Sequence, residues 1–171
     1  MAATVGVQNV NYNPTKTFQN NLIPLLNIIN SKKNLKYKII YFSTSEVYSP
    51  LIHKKKIKFP LVEENDLLIP NELIARDSYF LSKLFCEKIL QISNLNFIIL
   101  RPHNIYGPRM GNSHVIPELI NKIYMSNNSV KIASPNHKRA FCYIDDAIVQ
   151  MIDLAFSKKT NRKIYNIGNP K

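Results

Sequence analysis

Lys38-Ile-Ile-Tyr-Phe-Ser-Thr-Ser-Glu46 (KIIYFSTSE) is the stretch on which the fold reading turns. Lys38 to Ser43 is short, almost continuously apolar and rich in β-branched and aromatic side chains, the pattern of a strand covered on both faces in a parallel sheet. It halts at a hydroxyl cluster, Ser43 to Ser45. A second such run, Phe97 to Leu100 (FIIL), is ended by Arg101 and Pro102. Between the two, Asp77 or Ser78 caps a predicted helix that reaches about Gln91, with Leu81, Leu84, Phe85 and Leu90 as its apolar positions. Strand, helix, strand in this rhythm predicts an α/β chain built on a doubly wound parallel sheet.

Outward from that unit, Asn13 and Pro14 open a helix running to about Ser31, with apolar Phe18, Leu22, Leu25, Leu26 and Ile29 and an expected kink at Pro24. Ser49 to Arg76 is proline-punctuated and without strong periodicity, and is read as a substrate-side excursion. After a loop at His103 to Ser113, a helix is predicted from Pro117 to about Met125. Val130 to Ala133 and Ala140 to Ile144 read as strands around a turn, Asp145 caps a helix to Phe156, and Lys163 to Ile167 is a further strand.

With 171 residues, 45% hydrophobic and 20% charged, the chain has the makings of one packed domain. No apolar run approaches the roughly 18 residues of a membrane span, so a soluble, cytoplasmic protein is expected, with no membrane partner. The net charge of +12 rests on 18 lysines and only 5 arginines. Its densest run, Lys54 to Lys58, lacks the interleaved aromatics of a single-strand binding surface, so a basic nucleic-acid-binding module is the weaker alternative. Cys86 and Cys142 form no ligand spacing, and no metal is expected. The four glycines, Gly6, Gly107, Gly111 and Gly168, cannot supply a Gly-x-Gly-x-x-Gly turn or a Walker loop.

Tyr79 and Lys83 stand four residues apart on a predicted helix and so share a face. There an ammonium can favour the phenolate and make the tyrosine a base. Tyr12 and Lys16 have the same spacing, about what chance supplies, but they straddle Pro14. Tyr79 and Lys83 gain weight from their place after a buried strand that ends in hydroxyl residues, since ligands bind at the carboxyl ends of parallel strands.

These residues resemble a known family, the extended short-chain dehydrogenase/reductases that act as NAD-dependent nucleotide-sugar epimerases and dehydratases. The resemblance lies in M-A-A-T-V-G-V (Met1 to Val7), S-T-S-E-V-Y (Ser43 to Tyr48) and Y-F-L-S-K (Tyr79 to Lys83). It continues in R-P-H-N-I-Y-G-P-R-M (Arg101 to Met110), H-V-I-P-E-L (His114 to Leu119), R-A-F-C-Y-I-D-D (Arg139 to Asp146) and Y-N-I-G-N-P (Tyr165 to Pro170). It implies the second half of a Rossmann-type sheet with part of a small substrate-binding domain. Residues 1–102 are then mostly the Rossmann-type part, and 103–171 mostly the nucleotide-sugar part.

The resemblance also implies roles. Tyr79 takes the sugar hydroxyl proton as hydride passes to NAD. Lys83 binds the nicotinamide ribose and depresses the tyrosine pKa, and Thr44 hydrogen-bonds the reacting oxygen. Asn21 supports the lysine through water, while Ala2, Ala3, Ser43 and Pro102 line the cofactor. Asn104 and Arg139 hold the diphosphate of a nucleotide sugar, and Val115 and Ile116 flank its base. Ser45 and Glu46 stand where the dehydratases carry Asp-Glu, which disfavours dehydration and leaves epimerase and decarboxylase open. A homodimer through the helices bearing Asn21 and Tyr79 is implied as well.

The same comparison expects the glycine-rich half of the sheet to lie before Met1, so a catalytically inactive remnant or subunit is the alternative to an enzyme. Ser49 replaces a family glycine, which would strain the turn if it needs a positive φ.

Overall fold

The computed structural model describes residues 3–31, 37–126, 129–132, 135 and 139–169. A short helix α1 (Val7–Tyr12) leads into α2 (Pro14–Ser31), then strand β1 (Ile39–Phe42), a 3-10 turn (Ser45–Tyr48) and α3 (Ser49–His53). The remaining elements are α4 (Asp77–Ile92), β2 (Phe97–Pro102), β3 (Asn104–Tyr106), α5 (Val115–Met125), β4 (Phe141–Tyr143), α6 (Ile144–Phe156), a second 3-10 turn (Lys158–Thr160) and β5 (Lys163–Ile167). β1, β2 and β5 form a parallel sheet in that order, with Ile39 opposite Phe97 and Arg101 opposite Asn166. β3 and β4 pair in parallel as a separate ribbon.

Because successive strand side chains point to opposite faces, the apolar run of β2 feeds two cores. Phe97 and Ile99 pack with Leu25 of α2 and with Cys86 and Leu90 of α4. Ile98 and Leu100 pack with Ala147 of α6, Cys142 and Ile167. The result is helix, sheet, helix, as the buried run of β2 demanded; β1, expected to be covered on both faces, is only partly buried, with Ile40 exposed. Both cysteines are free, buried thiols.

Several local expectations are corrected. α2 continues through Pro24: the proline is on the exposed side, and buried Thr17, Asn21 and Leu25 hold the opposite face to the core. Asn13 Oδ1 accepts from Lys16 N at 3.0 Å, the cap read from the sequence. α4 has no side-chain cap; Asp77 Oδ2 accepts from Ile74 N (2.9 Å) and Ser78 Oγ donates to Ala75 O (2.7 Å), so both side chains close the preceding turn. Ser49 has φ −54°, an ordinary right-handed value, so the missing glycine costs nothing. Residues 130–132 form no strand, while Asn104–Tyr106, read as loop, pairs with β4.

The polar centre of the fold is an ion pair sealed from water. Arg101, 1% exposed at the end of β2, donates to Glu87 of α4 through Nε (3.0 Å) and NH2 (2.6 Å). Its NH1 donates to the Tyr48 hydroxyl (2.6 Å), which donates to Asn166 Oδ1 (3.0 Å) on β5. Asn166 N donates to Glu63 Oε1 (2.6 Å) and its side-chain nitrogen to Leu61 O (3.2 Å), so the long excursion is tied to the sheet. Glu87 also accepts from Ser43 Oγ at 2.5 Å, fixing the end of β1.

Removing one partner of such a pair strands a buried charge. Glu87→Ala is therefore expected to lower the unfolding free energy in urea by about 3–5 kcal/mol. Ile120→Ala, at an exposed position on α5, should stay within about 0.5 kcal/mol. Equal effects from the two changes would remove the ion pair from the centre of the fold.

Candidate active site

The reactive-looking side chains meet where β1 ends and α4 begins. Thr44 is extended (φ −157°, ψ 150°) and caps the 3-10 turn by accepting from Glu46 N at 3.2 Å. Tyr79, in the first turn of α4, lies close enough to the Thr44 hydroxyl for it to lower the tyrosine pKa. Burial first, then the Glu46 carboxylate, push the Tyr79 pKa above the ordinary 10.0, against the Thr44 hydroxyl and the Arg76 charge, which lower it. Lys83 follows one helical turn on and is buried, which lowers its pKa.

The family resemblance implied a lysine that depresses the tyrosine pKa. In the structure Lys83 Nζ donates to Phe42 O (2.8 Å) and lies 5.2 Å from the centre of the Tyr41 ring. The ammonium is thus held against β1, and the net direction for Tyr79 is upward.

Glu46 lies on the 3-10 turn and pairs with Arg76 NH2 at 3.1 Å. Burial raises its pKa, while Arg76 and Arg139 both pull it down, so a second guanidinium lies within electrostatic reach. Ser45 opens the same turn, half-buried.

Asn21 is nearly buried; its Nδ2 donates to Ser82 Oγ (2.9 Å), and Ser82 Oγ donates on to Tyr79 O (2.8 Å). Its Oδ1 accepts from Thr4 N (2.9 Å). Asn21 therefore braces the helix turn that carries Tyr79 and holds the segment leading into α1.

The structure brings together Ser43, Thr44, Ser45, Glu46, Tyr79 and Lys83, with Arg139 in range. Pro102 ends β2 opposite Ile167. Ala3 lies with Thr4 against Asn20, Ile23 and Pro24 of α2, and Ala2 is outside the described residues. Asn104 lies on β3, and Val115 and Ile116 at the start of α5. Among the described residues no group of histidine, cysteine, aspartate or glutamate could hold a metal, and no helix is long and apolar enough to cross a membrane.

Sequence reasoning missed Arg76, Glu87 and Tyr41. The signal for Glu87 was present: it follows Lys83 by four residues, so two charged side chains occupy a buried helix face and each demands a partner.

Residues 1–168 match the family described as "NAD dependent epimerase/dehydratase family". The UDP-N-acetyl-alpha-D-glucosaminuronate decarboxylase of Bacillus cytotoxicus is 30% identical, over 99% of this chain and 52% of that protein. The UDP-N-acetylglucosamine 4-epimerase of Methanobrevibacter ruminantium M1, solved with UDP-N-acetylmuramic acid, superposes with TM-score 0.80 at 27% identity, covering 100% of this chain and 54% of the other. The UDP-glucuronic acid 4-epimerase of Bacillus cereus, solved with UDP-glucuronic acid and NAD, gives TM-score 0.74 at 26% identity, with 100% and 53% covered. The chain spans about half the length of these relatives, and as little as 26% of one bifunctional relative.

In a titration followed by NMR of ¹³C-labelled tyrosines, Tyr79 is expected to ionise above 10.0. Ionisation adds a negative charge beside Glu46, so Glu46→Gln should move that midpoint down. An unchanged midpoint would take Glu46 out of the electrostatics of Tyr79.

Proposed function

The chain belongs to the NAD-dependent epimerase/dehydratase family, and from that premise we propose that it is the proton-transfer half of a nucleotide-sugar epimerase or decarboxylase. The observation that carries this reading is the closeness of the Thr44 hydroxyl to Tyr79, one helical turn from buried Lys83.

Residues 1–102 would supply the reacting centre, and residues 103–171, through Asn104, Val115, Ile116 and Arg139, the nucleotide-sugar side. Lys83 suits a ribose: it is buried, yet among the described residues its ammonium gives a single hydrogen bond, to Phe42 O. Tyr79, Ser43, Pro102 and Ala3 would complete that end. The pyrophosphate finds no Gly-x-Gly-x-x-Gly turn among the four glycines of this sequence. The dinucleotide, when bound, supplies the hydride acceptor for the sugar carbon.

Thr44 and Tyr79 would flank the hydroxyl on that carbon. Its O–H bond breaks as the proton passes to the Tyr79 oxygen, and Tyr79 returns the proton when the carbonyl is reduced again. Burial and Glu46 oppose the phenolate this requires, whereas Arg76 and Thr44 favour it. Ser45 in place of a carboxylic acid argues against dehydration, and the names of two relatives above concern uronic-acid sugars, a decarboxylase and a 4-epimerase.

The test is NMR of the folded chain incubated with NAD and UDP-glucuronic acid. A pentose nucleotide with released CO₂, or the 4-epimer, is the expected product, and Tyr79→Phe should lower turnover by about 10²–10⁴-fold. A folded chain that binds the sugar nucleotide without turnover would overturn the enzymatic reading and favour a non-catalytic sugar-nucleotide binder.

We further propose a homodimer through α2 and α4, supported by exposed Ile23, Ile28, Phe85 and Ile92 on these helices. Light scattering should report twice the chain mass of 19.7 kDa, and Phe85→Glu should return the monomer. A monomer at all concentrations would sink the proposal.

A further inference from the structure

Lys83 is 6% exposed on α4, and among the described residues it forms no ion pair with a carboxylate. Glu87, one turn further along the same helix, is committed to Arg101 and Ser43. A buried ammonium without a counter-ion is costly unless other groups favour it. Two groups do, and both are on β1. Phe42 O accepts from Nζ at 2.8 Å, and the same nitrogen lies over the ring of Tyr41, 5.2 Å from its centre. That is inside the roughly 6 Å over which the negative face of an aromatic ring attracts a cation, and the attraction grows where water is excluded.

Tyr41 meets the lysine as a ring and not through its hydroxyl. The hydroxyl oxygen is buried and has no hydrogen-bond partner among the described residues. Burial first, then the Cys86 thiol, raise its pKa, so the phenol stays neutral. A neutral ring also does what a carboxylate could not. Tyr79 is close enough to Tyr41 for the two to interact electrostatically, and Glu46 already opposes the ionisation of Tyr79. A further negative charge beside Lys83 would oppose it again, since like charges repel. The quadrupole of a ring steadies the ammonium without that penalty.

The other groups around the lysine leave this task to β1. Tyr79, Cys86 and Glu87 share its helix, Glu46 lies on the 3-10 turn packed against that helix, and α2 brings uncharged Asn21. Burial pulls the Lys83 pKa down, and among these titratable groups Cys86 is the one that pushes it back up.

We propose that Tyr41 is a positioning residue: the face of its ring holds the Lys83 ammonium charged and in place beside the Phe42 carbonyl, with the remaining N–H donors left for a ligand. Its part in turnover rests on the reading of Lys83 given under the proposed function; the contact itself does not.

The experiment is a pH titration, by NMR, of the full chain labelled with ¹³C-lysine, read at the Lys83 ε-methylene and assigned with Lys83→Arg. It compares the wild type, Tyr41→Phe, Tyr41→Leu and a chain with trifluorophenylalanine in place of Tyr41. The wild type and Tyr41→Phe are expected to show ε-protons displaced upfield by the ring, and to deprotonate at closely similar pH. Tyr41→Leu should lose the displacement and deprotonate at lower pH, because a group that favoured the ammonium is gone. The fluorinated ring keeps the shape of phenylalanine but has little electron density on its face, so Lys83 should deprotonate at lower pH there than in Tyr41→Phe. That comparison decides the matter even where Tyr41→Leu does not fold. Equal midpoints for the two phenyl rings, or no upfield displacement in the wild type, would reduce Tyr41 to core packing and overturn the proposal. Assay of the same proteins with NAD and UDP-glucuronic acid separates the two readings. No turnover by a chain whose Lys83 responds as expected overturns the enzymatic reading and leaves the contact standing; turnover without the Lys83 response overturns the contact alone.

Discussion

The Arg101–Glu87 pair is the constraint on which the arrangement depends. Both side chains are removed from water, and each is affordable only because the other is there, with hydrogen bonds filling the remaining donor and acceptor positions. Through this one contact β2, α4, the 3-10 turn, β5 and the excursion between residues 49 and 76 are fixed to one another. The same carboxylate holds Ser43, so the backbone that presents Thr44 is set by a charge pair whose arginine lies on a neighbouring strand. Apolar burial alone would leave the strand end free to slide, since methyl groups accept many near-equivalent packings. A bidentate ion pair does not.

The reactive cluster carries a tension that this scaffold maintains. Tyr79 would need to lose a proton, yet it is buried and faces a carboxylate, and its neighbouring lysine is engaged with the Phe42 carbonyl and the Tyr41 ring. Two arginines lie around Glu46 and one hydroxyl meets the phenol. An added charge, or the loss of one, would move the tyrosine pKa from its raised position. Such perturbed groups concentrate at functional sites.

Much of this was readable from the chain. β2 was legible because a strand buried on both faces must be apolar throughout, β1 and β5 because they are short β-rich runs between turn residues, and α4 because its apolar positions recur at helical spacing. Tyr79, Lys83, Thr44 and Glu46 were legible as a group only through their order along the chain. The ribbon strand Asn104–Tyr106 was not: three residues carry too little periodicity, and their partner lies at Phe141–Tyr143. Val130 to Ile132 alternates as a strand should, but has no ladder partner among the described residues. Arg76 was invisible because an exposed arginine before a helix looks like any surface charge; only the fold puts Glu46 against it.

The sheet order also governs when the chain can become whole. Tyr48 meets Asn166 across 118 residues of sequence, so the hydroxyl that accepts from Arg101 has Val62 O (3.4 Å) as an early acceptor and gains the shorter one, Asn166 Oδ1 (3.0 Å), only after β5 has been made. At roughly 5–20 residues per second of synthesis, that interval is on the order of ten seconds. In its later part, once Arg101 has been made, Glu87, Arg101 and Tyr48 can assemble among themselves while the β5 side of β2 stands open. The charge pair can therefore form while the β5 flank of its strand is still unpaired.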